Sequence, residues 1–241
     1  MKVLGIIPAR FASSRFPGKP LIDLKGKTMI QHVYEGASKS KRIHELVVAT
    51  DDQRIVDAVK AFGGKVIMTA TTHPSGTDRC AEVIQHFPDA DVVINIQGDE
   101  PLVDYRQLDQ LLEVFESEET TIATLVSEQI TETELQNPNR IKVVSDVNNH
   151  ALYFSRSAVP NTHHAGSNIG YPFLRHIGLY AYRANVLSTL TQLTPTALEK
   201  TESLEQLRWL YYGYRIKLVK TDIETPNIDV PEDVQQVLAY L

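Results

Sequence analysis

Within its first hundred residues the chain repeats one rhythm: a short apolar run, a turn signal, then apolar residues at helical spacing. The runs are residues 3–7, 46–50, 65–68 and 92–96, each short and containing Val or Ile. Runs of this kind are buried strands. Between them, residues 29–37 carry Met29, Ile30, Val33 and Ala37 behind a capping Thr28, and residues 54–62 stop at Gly63 and Gly64. Residues 78–87 place Ala81, Val83, Ile84 and Phe87 at helical intervals. Strands alternating with helices in this way constrain the chain to an α/β fold. Its sheet should be mostly parallel and doubly wound, with right-handed crossovers.

From about residue 120 the rhythm changes. Residues 121–126, 142–145 and 151–154 read as strands with few helices between them, so an inserted, smaller sheet extension is expected. Residues 160–172 hold Pro160, Gly166, Gly170, His163 and His164 without an apolar period, which predicts a long loop. Helical patterning returns at 204–212, a strand follows at 216–219, and a last helix starts at Glu232. No repeat or linker interrupts the 241 residues, so a single domain is expected.

Composition narrows the class of partner. Lys and Arg number 24 against 30 Asp and Glu, a net charge of −6, which argues against nucleic acid held by bulk electrostatics. One cysteine, Cys80, excludes an internal disulfide and suits a reducing cytoplasm; its position fits a buried helix residue. The N-terminal apolar run is five residues long before Pro8 and Arg10, too short for a signal peptide or a membrane span. Cytoplasmic residence without a membrane partner is the expectation.

The loop leaving the first strand concentrates Arg10, Arg15 and Lys19 among Ser13, Ser14 and Gly18. Charges alone would fit a solvated basic loop. Small residues and cations at the carboxyl end of a parallel sheet also fit a polyphosphate cradle, because phosphates take backbone N–H groups and point charges. Asp99 follows the fourth strand and so stands at the same sheet edge. A carboxylate facing phosphate-binding cations is consistent with a magnesium ion between them. Asp229, before Val230 and Pro231, is either a second ligand or a helix-capping acid. Ser75, Gly76 and Arg79 lie where a loop enters a helix, which by itself suits either a nucleoside contact or an ordinary cap. No Gly-x-Gly-x-x-Gly follows the first strand, which disfavours a dinucleotide enzyme.

Several motifs together resemble the 3-deoxy-D-manno-octulosonate (Kdo) cytidylyltransferases over nearly the whole chain. They are Ile7-Pro8-Ala9-Arg10 through Phe16-Pro17-Gly18-Lys19-Pro20, then His73-Pro74-Ser75-Gly76-Thr77-Asp78-Arg79 and Gln97-Gly98-Asp99-Glu100-Pro101. Tyr153-Phe154-Ser155-Arg156, Arg175-His176-Ile177-Gly178-Leu179-Tyr180, Leu204-Glu205-Gln206-Leu207-Arg208 and Ile228-Asp229-Val230-Pro231 follow in the second half. The resemblance implies a Rossmann-like nucleotidyltransferase sheet that moves CMP from CTP to Kdo for lipopolysaccharide synthesis. Residues 1–120 would mainly bind CTP, and residues 121–241 would bind the sugar acid and form a homodimer. It further implies Mg²⁺ on Asp99 and Asp229, and triphosphate on Arg10, Arg15 and Lys19. The nucleotide would also touch Pro8, Ala9, Ser75, Gly76, Arg79, Gln97 and Asp99. Gln97, Arg156, His176, Tyr180, Glu205 and Gln206 would line the sugar-acid pocket. His176 read by itself equally suits a buried structural histidine. Arg156 suits the Kdo carboxylate, since a guanidinium forks onto two oxygens. Acylneuraminate or an 8-amino Kdo analogue is the alternative substrate. Residues 160–172 match the family poorly, and His163 and His164 receive no role.

Overall fold

The structure is a computed structural model, and it describes residues 1–12, 16–163, 170–228 and 230–241. The strands in chain order are β1 (Val3–Ala9), β2 (Asp23–Leu24), β3 (Lys27–Thr28), β4 (Glu45–Thr50), β5 (Val66–Met68), β6 (Val92–Asn95), β7 (Ile122–Ser127), β8 (Lys142–Ser145), β9 (Ala151–Ser155), β10 (Leu174–Arg183) and β11 (Ile216–Lys220). The helices are α1 (Met29–Ala37), α2 (Gln53–Ala61), α3 (Gly76–Val83), α4 (Tyr105–Glu113), α5 (Glu132–Gln136), α6 (Ala184–Leu190), α7 (Ala197–Glu202), α8 (Gln206–Tyr211) and α9 (Asp233–Leu238). Among the described residues, no helix is long and apolar enough to cross a membrane.

Seven strands run in the order β11-β7-β10-β6-β1-β4-β5, and β8 and β9 branch from the start of β10. β6, β1, β4 and β5 are mutually parallel, as the alternating rhythm requires, and β11 is parallel to β7. β10 is antiparallel to both β6 and β7. The expected extension is therefore continuous with the main sheet, with β10 as the seam between its two halves.

Alternation along each strand builds two cores. Val3, Ile7, Val48, Val92 and Ile94 face one layer, which α1, α2 and α4 cover. Leu4, Ile6, Val47, Val93, Tyr180 and Tyr182 face the other, which α3, α6 and α8 cover. α1 starts at Thr28, whose side chain accepts the Gln31 N–H, and Met29, Ile30, Val33 and Ala37 are fully buried. Burial of a large apolar side chain contributes roughly 1.5–3 kcal/mol, so this stripe, rather than propensity, fixes the helix.

Three boundaries differ from the sequence reading. β1 continues through Pro8 to Ala9 because its ladder to β6 ends at Ile6, which leaves no N–H required from Pro8 on that side. The helix expected over 78–87 starts earlier, at Gly76 behind the capping Ser75, and its last turn tightens into a 3-10 turn, Ile84–His86. The second half also carries more helix than its rhythm suggested, in α5, α6 and α7.

Candidate active site

The carboxyl ends of β1 and β6 open onto a cleft of about 470 Å³ on the α3 and α8 side of the sheet. Pro8, Ala9 and Arg10 leave β1 along one wall, and Asn95, Gln97 and Asp99 leave β6 beside them. Gly76 and Thr77 bring the first turn of α3 to the rim, while Glu205, Gln206 and Trp209 come from α8 and the residue before it. Gly98 is required here by space. A Cβ on it would lie 2.6 Å from the Pro8 carbonyl oxygen, so only glycine lets the two chain segments pass. A second chamber of about 370 Å³ adjoins through Gln97, Asp99, Gly178, Tyr180 and Gln206, and reaches His176 and Arg175.

Lys19 is the anchor of the first cleft. Its ammonium donates to Asp99 Oδ2 at 2.8 Å and to the Ile228 carbonyl at 2.7 Å, with the residue only 8% exposed. Gly18, in the left-handed region at φ 75°, turns the loop back so that its N–H donates to the Phe11 carbonyl at 2.8 Å. The Arg54 guanidinium lies 3.2 Å above the Phe11 ring and clamps this bend from α2. Arg10 donates to the His73 carbonyl, and Glu82 holds the His73 imidazole and the Ala70 N–H. Arg15 and Asp229 lie outside the described residues. The Ile228 N–H donates to the Asp99 carbonyl at 3.0 Å, so the strand-like segment before Asp229 reaches Asp99.

The residues expected on the sugar side divide into two groups. Tyr180 is 7% exposed and packs edge-on against Trp209 with ring centroids 5.3 Å apart. Glu205 accepts from Thr77 Oγ1 at 2.7 Å and Ser75 Oγ at 3.2 Å, and burial pushes its carboxyl upward. His176 meets Thr124 Oγ1 at 3.0 Å, and burial together with the Arg175 charge lowers its pKa to about 3. Gln97 donates to the Gly178 carbonyl at 2.8 Å, while Gln206 is buried at the junction of the two chambers.

Three expected site residues, Arg156, Arg79 and Ser75, stand apart from both chambers. Arg156 donates from Nε to the Glu202 carbonyl at 2.7 Å, from Nη1 to the Pro138 carbonyl at 2.9 Å and from Nη2 to the Ser203 carbonyl at 3.2 Å. Its guanidinium thus joins three chain segments and does not form the open fork the sequence suggested. Arg79 has no exposed surface and donates to Asp51 Oδ2 at 2.8 Å and to Thr69 Oγ1. It ties α3 to the ends of β4 and β5 beneath the surface and does not line the cleft. Ser75 acts as the α3 cap and orients Glu205 from behind.

Asn95, Thr77, Tyr182 and Trp209 line the first chamber and Arg140 and Arg175 the second, and the sequence reading gave none of them a role. Asn95 Oδ1 is buried without a hydrogen-bond partner. Its signal was a polar residue inside the buried run 92–96, where an apolar one would otherwise be expected.

The model of the cytidylyltransferase family matches residues 4–218. The chain is 52% identical to the 3-deoxy-manno-octulosonate cytidylyltransferase of Parabacteroides distasonis, covering 100% of this chain and 98% of the relative. It is 51% identical to that of Phocaeicola vulgatus, with the same coverage. Among solved structures, a CMP:2-keto-3-deoxy-manno-octonic acid synthetase complexed with CTP superposes with a TM-score of 0.93 at 44% identity, over 100% of this chain and 98% of that one.

Proposed function

The chain belongs to the 3-deoxy-manno-octulosonate cytidylyltransferase family, and from that premise we propose that it transfers CMP from CTP to Kdo, releasing pyrophosphate, for lipopolysaccharide synthesis. The observation that carries this reading is the pair of joined chambers. One presents Lys19, Arg10 and Asp99 at the sheet edge, and the other presents Tyr180, His176 and Gln206. The Kdo anomeric hydroxyl attacks the α-phosphorus, a new oxygen–phosphorus bond forms, and the bond to the β-phosphate breaks. Such transfer depends mainly on alignment and on charge placed where negative charge gathers. Lys19, Arg10 and Arg15 neutralise the triphosphate and the departing pyrophosphate. Glu205, Gln206 and Tyr180 hold sugar hydroxyls. His176, neutral down to about pH 3, is a poor proton acceptor near neutrality and serves as a wall with a hydrogen-bonding edge.

Magnesium fits the donors present. The Asp99 carboxylate and the unpartnered Asn95 amide oxygen are hard oxygens, and magnesium needs one or two carboxylates when phosphate oxygens and water complete its shell. Asp99 and Asp229 would hold the ion, which supplies positive charge against the phosphate oxygens when bound. We further propose a homodimer, supported by the exposed Val147 and Leu152 on the β8–β9 hairpin. We also propose cytoplasmic residence without a nucleic-acid partner, a reading that the lone Cys80 and the charge of −6 support. Residues 1–120 hold the nucleotide and residues 121–241 the sugar acid in this scheme.

The test is incubation of the purified protein with CTP, Mg²⁺ and Kdo, alongside acylneuraminate, an 8-amino analogue and a neutral sugar. CMP-Kdo and pyrophosphate in equal amounts are expected. Product with a different sugar acid alone would move the substrate, and no product with any sugar acid would remove the activity.

A further inference from the structure

We propose that Lys19 keeps a free divalent ion off Asp99, so that the ion enters only together with the triphosphate. This deepens the reading above and rests on its placing of magnesium at Asp99. The Lys19 side chain is 10% exposed and that of Asp99 30%, and the ammonium lies 2.8 Å from Asp99 Oδ2. At that distance the two charges largely cancel for a third ion approaching from the cleft. A free divalent ion therefore meets a carboxylate that is already balanced, and to bind it must displace a cation or lie beside one. Arg10 lines the same cleft and donates to the neutral His73 carbonyl, so its charge adds to the repulsion. Glu205, the second acid among the described residues of this lining, offers little compensation, since Arg208 lies 3.7 Å from its carboxylate.

A triphosphate changes this balance. It offers Lys19 anionic oxygens in place of Asp99 Oδ2, so the ammonium exchanges a carboxylate bond for a phosphate bond. The carboxylate it releases is then free to turn to an ion that the phosphates carry. A second tether keeps this exchange local. The Lys19 ammonium also donates to the Ile228 carbonyl at 2.7 Å, in a contact buried from solvent, and the Ile228 N–H donates to the Asp99 carbonyl at 3.0 Å. The ammonium can therefore swing between acceptors while the backbone on both sides stays fixed. Because the Ile228 carbonyl is neutral, that tether holds the positive charge at the cleft before and after the exchange. Coupling between two ligands is reciprocal, so the triphosphate favours the ion as much as the ion favours the triphosphate.

The experiment reads protein-bound Mn²⁺ by water proton relaxation, first without nucleotide. Lys19→Met should bind free Mn²⁺ about 10-fold more tightly than the wild type, a typical size for coupling between charged sites. Lys19→Arg keeps the charge and should stay within about 2-fold of the wild type. Lys19→Gln is the second neutral variant if Lys19→Met does not fold. With CTP added the order reverses, and the neutral variants should hold Mn²⁺ about 10-fold more weakly than the wild type. No gain in the neutral variants without nucleotide, or an equal gain in Lys19→Arg, would overturn the role of Lys19. So would a wild-type protein that binds Mn²⁺ as tightly alone as with CTP, whichever variants fold. Asp99→Asn separates this inference from the reading beneath it, since it should weaken Mn²⁺ in the CTP complex. If it does so while the neutral Lys19 variants show no gain, Lys19 alone is misassigned. If it leaves the CTP complex unchanged, the ion lies elsewhere and both readings fall.

Discussion

Lys19 shows how a charged side chain is kept in place before a ligand arrives. Its partners, Asp99 Oδ2 and the Ile228 carbonyl, are both acceptors, so two of the ammonium's three donors are fixed. Lys19→Ala is expected to weaken CTP more than CMP, because the proposed scheme sets its charge against the outer phosphates. Titration of both nucleotides checks this, and equal losses would make Lys19 a purely structural tie. Asp99→Asn should keep the fold and lower turnover by about 10²-fold or more, as expected for loss of one of few ligands to an essential ion. A folded variant with near-normal turnover would dismiss Asp99 as a ligand. His176 gives a stability signature. Its pKa of about 3 lies below the ordinary 6.5, so the unfolded chain binds the proton first as pH falls. The contribution is complete above pH 6.5 and declines as pH drops toward 3. Melting curves at pH 7 and pH 5 should therefore differ less in His176→Gln than in the wild type, and an unchanged difference would refute the neutral imidazole.

Elements in this fold position chemistry by how closely their ends approach. Gly98→Ala would push a methyl group to 2.6 Å from the Pro8 carbonyl, forcing β1 and the loop after β6 apart. A loss of about 1–3 kcal/mol is expected from such overpacking, readable by urea denaturation, together with weaker CTP binding. Unchanged stability and affinity would mean that the loop relaxes freely. The four parallel strands and the first three helices were legible because each was a plain apolar pattern, whereas α4, β2 and β3 were not read from the sequence. Thr28 and the stripe Met29, Ile30, Val33 and Ala37 define α1 in sequence as they do in space. β10 was harder to read. It is buried on both faces, carries Arg175 and His176 at its start, and shifts register between Ile177 and Tyr180, so neither alternation nor an unbroken apolar run marks it. The same limit applies to the site. The cations Arg10 and Lys19 were visible as charges on a loop. What Arg156 and Arg79 would bond to was not visible, because the carbonyls around Arg156 come from residues 138, 202 and 203 and the partners of Arg79 from Asp51 and Thr69. Local sequence specifies a guanidinium but not the distant acceptors that engage it.

For the whole molecule, the β10 seam places a mostly parallel half beside a half built on antiparallel pairing, with the two chambers meeting over it. The proposed homodimer should sediment at twice the chain mass of 27.0 kDa, and Leu152→Lys on the β8–β9 hairpin should shift it toward the monomer. Sedimentation of the wild type as a single 27.0 kDa species would exclude that assembly. The Lys19 knot has a consequence for biosynthesis. One ammonium joins residue 19 to residues 99 and 228, so the proposed triphosphate cradle has its final shape only after the last of these has been translated and has left the ribosome. A nascent chain that has made residues 1–120, the proposed nucleotide half, still lacks the carbonyl that steadies its lysine. Competence to bind CTP would then appear late and abruptly during synthesis, rather than growing with each strand added.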